Sequence, residues 1–114
     1  MALQKSITLP NTTSGNYIRL DSYSWDRAAR LASARFMLFA SAAAAASAPN
    51  ASFGLIARLD LSGEKFDQYL ANSVLDGETV TVAGQLYAAL KAEPFKPGLG
   101  FAIGQVVFSD AQSV

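Results

Sequence analysis

The strongest constraint on this chain is a period of two. Phe53, Leu55, Ala57, Leu59 and Leu61 alternate with Gly54, Ile56, Arg58 and Asp60, the spacing of a strand with two different faces. Leu3, Ile7 and Leu9 share one parity and Gln4, Ser6 and Thr8 the other, and Pro10 ends that run. Residues 17–25 are rich in strand formers. Ile18 and Leu20 face one way, and Tyr17, Arg19, Asp21, Tyr23 and Trp25 face the other. The second face mixes aromatics with charge, so it reads as a wet outer face or a contact surface.

Residues 26–48 carry two conflicting signals. Propensity reads helix, with Asp26 as an N-cap and Pro49 as a stop. Pattern reads strand, because Ala32, Ala34, Phe36, Leu38 and Ala40 alternate with Leu31, Ser33, Arg35, Met37 and Phe39. The alternation is read as a strand over about 30–41, followed by an Ala/Ser linker with room for a short helical turn. Ser62 offers an N-cap for a short helix at 63–71, whose Phe66, Tyr69 and Leu70 share one face. Asp76-Gly77 is a turn signal. Thr81 caps a second helix with Val82, Leu86 and Leu90 every four residues, and Pro94 ends it. Residues 95–100 form a Pro/Gly connector. Phe101, Ile103 and Val107 then alternate with Ala102, Gly104, Val106 and Phe108. That last strand is apolar on both faces, so its own domain or a partner must bury it. The remaining residues read as a polar tail. The expectation is one α+β domain over residues 1–114, a small antiparallel β-sheet or sandwich of about five strands with two short helices. Residues 97–114 form a strand-bearing extension of it.

Composition narrows the function. Of 114 residues, 51% are apolar and only 16% are charged, against about 25% charged in ordinary soluble domains. Little charge is left to cover an isolated monomer, which favours burial in an assembly, and a homo-oligomer is expected. Alanine, tolerated on surfaces, supplies part of the apolar count. Nine basic and nine acidic residues cancel without a block of either sign, so no nucleic-acid footprint stands out. The opening residues lack the apolar core of a signal peptide. The apolar stretch at 36–48 is too short for a helical membrane span. The chain reads as soluble, without a membrane span and made in the cytoplasm.

The chain has neither His nor Cys. This removes Ser-His-Asp and Cys-His catalysis, thiolate metal sites and disulfides together. Asp60, Glu64 and Asp67 are close in sequence, and the acids at the start of the 63–71 helix read as dipole partners in preference to a hard-metal site. Nothing positions Lys5, Lys65, Lys91 or Lys96 beside a particular serine. Gly98, Gly100 and Gly104 miss the dinucleotide fingerprint by one residue and sit in strand context. No catalytic, cofactor or metal residue is assigned, and the chain is not expected to be an enzyme. Tyr17, Tyr23 and Trp25 remain as interface anchors or, alternatively, as a carbohydrate- or receptor-binding platform.

Three segments carry a family resemblance. They are Ala2-Leu3-Gln4-Lys5-Ser6-Ile7-Thr8-Leu9 with Asn16-Tyr17-Ile18-Arg19-Leu20, then Ala32-Ser33-Ala34-Arg35-Phe36-Met37-Leu38-Phe39, and then Gln85-Leu86-Tyr87-Ala88-Ala89-Leu90-Lys91-Ala92-Glu93-Pro94-Phe95. Their order resembles small structural proteins of the tail and baseplate of tailed bacteriophages. The Ala/Ser stretch at 40–48 and the tail at 97–114 depart from that group. The resemblance also weighs toward strand at 30–41. It implies a virion structural protein, a tail or baseplate connector or decoration subunit. Such a subunit would be assembled in the host cytoplasm through contacts with itself and with other tail and baseplate proteins. The expected interface residues are Tyr17, Tyr23, Trp25, Phe101, Ile103, Val107 and Phe108, the last four by addition of a strand to a neighbour's sheet.

Overall fold

A computed structural model describes residues 2–10, 14–48, 52–71, 81–99, 101 and 107–113. Six strands form one antiparallel sheet: β1 (Leu3–Thr8), β2 (Ser14–Asp26), β3 (Leu31–Phe39), β4 (Gly54–Ser62), β5 (Lys96–Pro97) and β6 (Gln112–Ser113). Their order across the sheet is β5-β4-β3-β2-β1-β6. Three helices are described: α1 (Ala42–Ser47), α2 (Glu64–Leu70) and α3 (Val82–Ala92). The chain is thus a small α+β fold, as expected. Residues 31–39 are strand, so alternation outweighs the helix propensity of their alanines. The reason is burial: Ala32, Ala34, Phe36 and Leu38 all reach the core from one side of the sheet.

That side is sealed by α2 and α3. Phe66, Tyr69 and Leu70 from α2 and Leu86, Tyr87, Ala89 and Leu90 from α3 join Leu3, Ile18, Phe36, Leu59 and their neighbours in one core cluster. Phe36 lies at its centre with its ring edge-on to Tyr87, 5.5 Å between centroids. Thr81 caps α3 by accepting from the Gly84 N–H at 3.0 Å. In α2 the expected cap is displaced by one residue. Gly63 holds the N-cap position at φ 56°, without a side-chain cap. A left-handed turn there suits glycine, and its N–H donates to the Arg30 carbonyl at 3.2 Å.

Three sequence expectations are corrected. First, β2 has an irregularity between Leu20 and Ser22: Leu20 opposes Phe36, while Ser22 opposes Arg35. One extra residue reverses the parity of everything after it. Tyr17 and Arg19 stay on the outer face with Phe39. Tyr23 and Trp25 move to the helix side, opposite Ala34 and Ala32, and Trp25 packs near Phe66. A second irregularity in the β3–β4 pairing, between Phe36 and Met37, does the same to Leu55. Second, the connector at 95–100 contains β5. Gly98 is needed there because a Cβ would lie 1.9 Å from the Leu55 carbonyl oxygen, so its role is close strand approach. Third, the polar tail is part of the sheet, since Gln112 and Ser113 pair with Gln4 and Leu3.

Polar groups tie the helices to this frame. The Tyr87 hydroxyl accepts the Leu20 N–H at 2.5 Å, at the β2 bulge. Burial holds the Tyr87 pKa above its ordinary value. At the far end of α3, Glu93 accepts from Lys65 at 2.9 Å and from the Tyr69 hydroxyl at 3.1 Å. The lysine hydrogen bond holds the Glu93 pKa below the ordinary carboxylate value.

Replacing Tyr87 by Phe keeps the ring packing and removes the acceptor for Leu20. The expected cost is about 1–3 kcal/mol, measured by urea unfolding, with an unchanged m-value. A group with a depressed folded pKa stabilises above its unfolded value, and that stabilisation fades as pH falls through the folded value. Stability should therefore decline on acidification, and Glu93→Gln should flatten that decline in thermal melts taken across pH.

Candidate functional site

The two faces of the sheet differ. One is closed by α2 and α3, and the described residues leave the other open over most of its width. Near one end of the open face, Phe39 is 1% exposed and Ala45 of α1 is buried. The Tyr17 ring meets Phe39 edge-on at 6.4 Å, and the Arg19 guanidinium lies 4.7 Å from its centroid. These residues form a small covered corner. α1 forms there because Ser41 caps it, accepting the Ala44 N–H at 3.1 Å.

Away from that corner the open face is polar. Arg35 of β3 stands opposite Arg58 of β4, and Arg58 stands opposite Lys96 of β5. Three cations thus share one row across three strands. Asp60 is the nearby carboxylate, 3.4 Å from the Arg58 Nε and 3.7 Å from the Lys96 Nζ. Like charges directly opposite one another destabilise a sheet. Beyond the row, at the end of the sheet, a shallow concavity of about 490 Å³ is lined by Ser24, Asp26, Leu31, Ser33, Asp60 and Ser62 and, from the helix side, by Trp25, Ala32 and Leu61. Leu31 is 52% exposed in it.

This end of the sheet is held by its turn. The Asp26 side chain accepts the N–H groups of Ala28 and Ala29 at 2.9 and 3.2 Å. Arg30 then takes a left-handed φ of 55°. Its guanidinium reaches Asp67 of α2, with Nε donating at 3.2 Å, and that hydrogen bond raises the Arg30 pKa. The acids close in sequence are therefore dispersed: Asp67 faces Arg30, and Asp60 faces Arg58 and Lys96. Among the described residues no group of three possible metal ligands converges.

The expected interface residues are scattered. Tyr17 stands on the outer face, while Tyr23, 47% exposed, and the half-buried Trp25 stand on the helix side. The three aromatics share no platform. Phe108 is 1% exposed in the chain's own core, with its ring 5.0 Å from Phe95. Phe101 packs against the same core, and Val107 is 52% exposed. Ile103 lies outside the described residues, as does most of the expected last strand, while Phe101, Val107 and Phe108 are not in strand conformation. The cationic row was missed because Arg35, Arg58 and Lys96 are far apart in sequence. Their alternation parities put Arg35 and Arg58 opposite their apolar neighbours, but only the register makes them a row.

Among the described residues no helix is long and apolar enough to cross a membrane. No protein-family model, curated protein or solved structure matches the chain.

Arg35→Glu converts a like-charged pair into an opposite one. It should raise stability by about 0.2–1 kcal/mol, read as a higher urea midpoint. A lower midpoint would mean that Arg35 is already balanced in the folded chain.

Proposed function

We propose that this chain is a structural subunit that works by protein–protein assembly, without catalysis, in the tail or baseplate of a tailed bacteriophage. The observation that supports this most is the imbalance of the sheet. Its helix side carries the packed core, while the other side and one strand edge are left uncovered by the described residues. Low charge content adds to it, since 16% charged residues leave a modest solvated surface. The phage setting comes from the resemblance in the segments around Leu3, Phe36 and Tyr87, each of which sits in the packed half of the fold. A binding platform for carbohydrate made of Tyr17, Tyr23 and Trp25 is disfavoured, because the β2 bulge puts the first on the opposite face from the other two.

The test is where the protein ends up. Antibody raised against the chain should label the tail or baseplate in electron micrographs of purified virions, at a fixed position. A protein recovered only from the soluble fraction of infected cells, with none in purified virions, would reject the reading.

A further inference from the structure

We infer that the free edge of β2 is a self-pairing site, where a second copy of the chain adds the same segment, residues 22–26, antiparallel about a two-fold axis at Ser24. This rests on the assembly reading and names one partner and one mode for it.

The free edge is defined by where the backbone groups of β2 point. β1 accompanies β2 only as far as the Leu3–Ile18 pair. Past that point no described strand lies on the outer side of β2. In β3, the Leu38 carbonyl accepts the Phe53 N–H and the Arg30 carbonyl just before it accepts the Gly63 N–H. Even-numbered residues of β3 therefore address β4, and odd-numbered ones address β2. The opposed pairs Ser22–Arg35, Ser24–Ser33 and Asp26–Leu31 then carry the β2–β3 hydrogen bonds. The N–H and C=O groups of Tyr23 and Trp25 point the other way, to the free edge. The Leu20 N–H points there too, and the Tyr87 hydroxyl meets it. No such acceptor meets Tyr23 or Trp25 among the hydrogen bonds of the described residues.

The two terminal strands of the sheet are guarded. β5 is two residues long and consists of Lys96 and Pro97, and β6 is also two residues long. Short length, lysine and proline are the usual defences of an edge strand. Residues 22–26 have none of them: they are Ser, Tyr, Ser, Trp and Asp.

The segment is complementary to itself. A two-fold axis at Ser24 sets Tyr23 opposite the partner's Trp25, and Trp25 opposite the partner's Tyr23. Both positions carry outward backbone groups, so each pair exchanges two N–H···O bonds. Both side chains lie on the helix side, where aromatic cross-strand pairs stabilise a sheet, and the exposed Tyr23 is covered. The contact is isologous, with the same five residues on both copies.

The chain has no cysteine, so one introduced thiol reports on one site. Ser24 would face its own copy at a position where Cα atoms come within about 4.5 Å, a spacing that a disulfide spans. Ser24→Cys should oxidise to a covalent dimer of twice the 12.0 kDa chain mass, whereas Ser33→Cys, one strand further in, should form no covalent dimer. Tyr23→Pro should shift the protein toward monomer in light scattering and retain its circular dichroism, because the lost N–H faces the edge. The inference is overturned if Ser24→Cys cross-links no faster than Ser33→Cys, or if a folded Tyr23→Lys variant associates as strongly as the parent chain. It is also overturned if the edge takes up a foreign peptide while the chain itself stays monomeric. Virion labelling with failed cross-linking would remove this mode and leave the assembly reading. Cross-linking without virion labelling would do the reverse for the phage setting.

Discussion

The bulge between Leu20 and Ser22 sets the rest of the structure. One extra residue in β2 reverses which side chains meet the helices. Before it, Ile18 and Leu20 carry the apolar side of the strand. After it, Trp25 does, near Phe66 of α2. Without the shift, Trp25 would stand in solvent on the open face, and the end of the core around Ala32 and Leu61 would lose its cover. Just before the bulge, the Leu20 N–H faces the edge that β1 has left, and α3 meets it with the Tyr87 hydroxyl. The same Tyr87 packs on Phe36. Strand register, helix placement and core packing thus converge on one side chain.

This is also where sequence reading stops being sufficient. The strands at Leu3, Tyr17, Phe36 and Leu59 were legible because each alternates with period two, and α3 was legible from Thr81, Leu86, Leu90 and Pro94. Parity counted from Tyr17 fails at Asp21, since a bulge leaves no mark in composition when the extra residue is neither Gly nor Pro. β5 and β6 were not legible for another reason. Two-residue strands have no period, and they exist because β4 and β1 offer partners at 57–58 and 3–4. The tail looked polar because Gln112 and Ser113 are exposed at the sheet edge. The anchors beside it, Phe108 and Ala111, are buried, and they hold residues 107–113 to the core. For the candidate site, Tyr23 and Trp25 were legible as aromatics in a strand. The cationic row and the free edge depend on register and on where β1 ends.

Three ion pairs join elements that are distant in sequence. Arg30, in the β2–β3 turn, reaches Asp67 in α2; Lys65 in α2 reaches Glu93 after α3; Lys5 in β1 reaches Asp110 before β6. Exposed pairs of this kind contribute little energy each. Their placement matters more, because each clips a chain end or turn to an element distant in sequence. Arg35, Arg58 and Lys96 are different. They share a face, and among the described residues the carboxylate that pairs with Arg58 and Lys96 is Asp60.

That difference decides between two routes of assembly. Packing through the open face would bury the cationic row against another sheet, with one carboxylate beside it to offset the lost hydration. Removing charges from water without full pairing costs several kcal/mol per ion. Pairing through the β2 edge leaves the row wet and covers Tyr23, whose ring is apolar, with backbone groups that would otherwise bond to water. The face can be solvated as it stands, and its arginines and serines suit it for that. Charge therefore favours growth along the sheet over stacking upon it, unless a partner brings its own anions to the row.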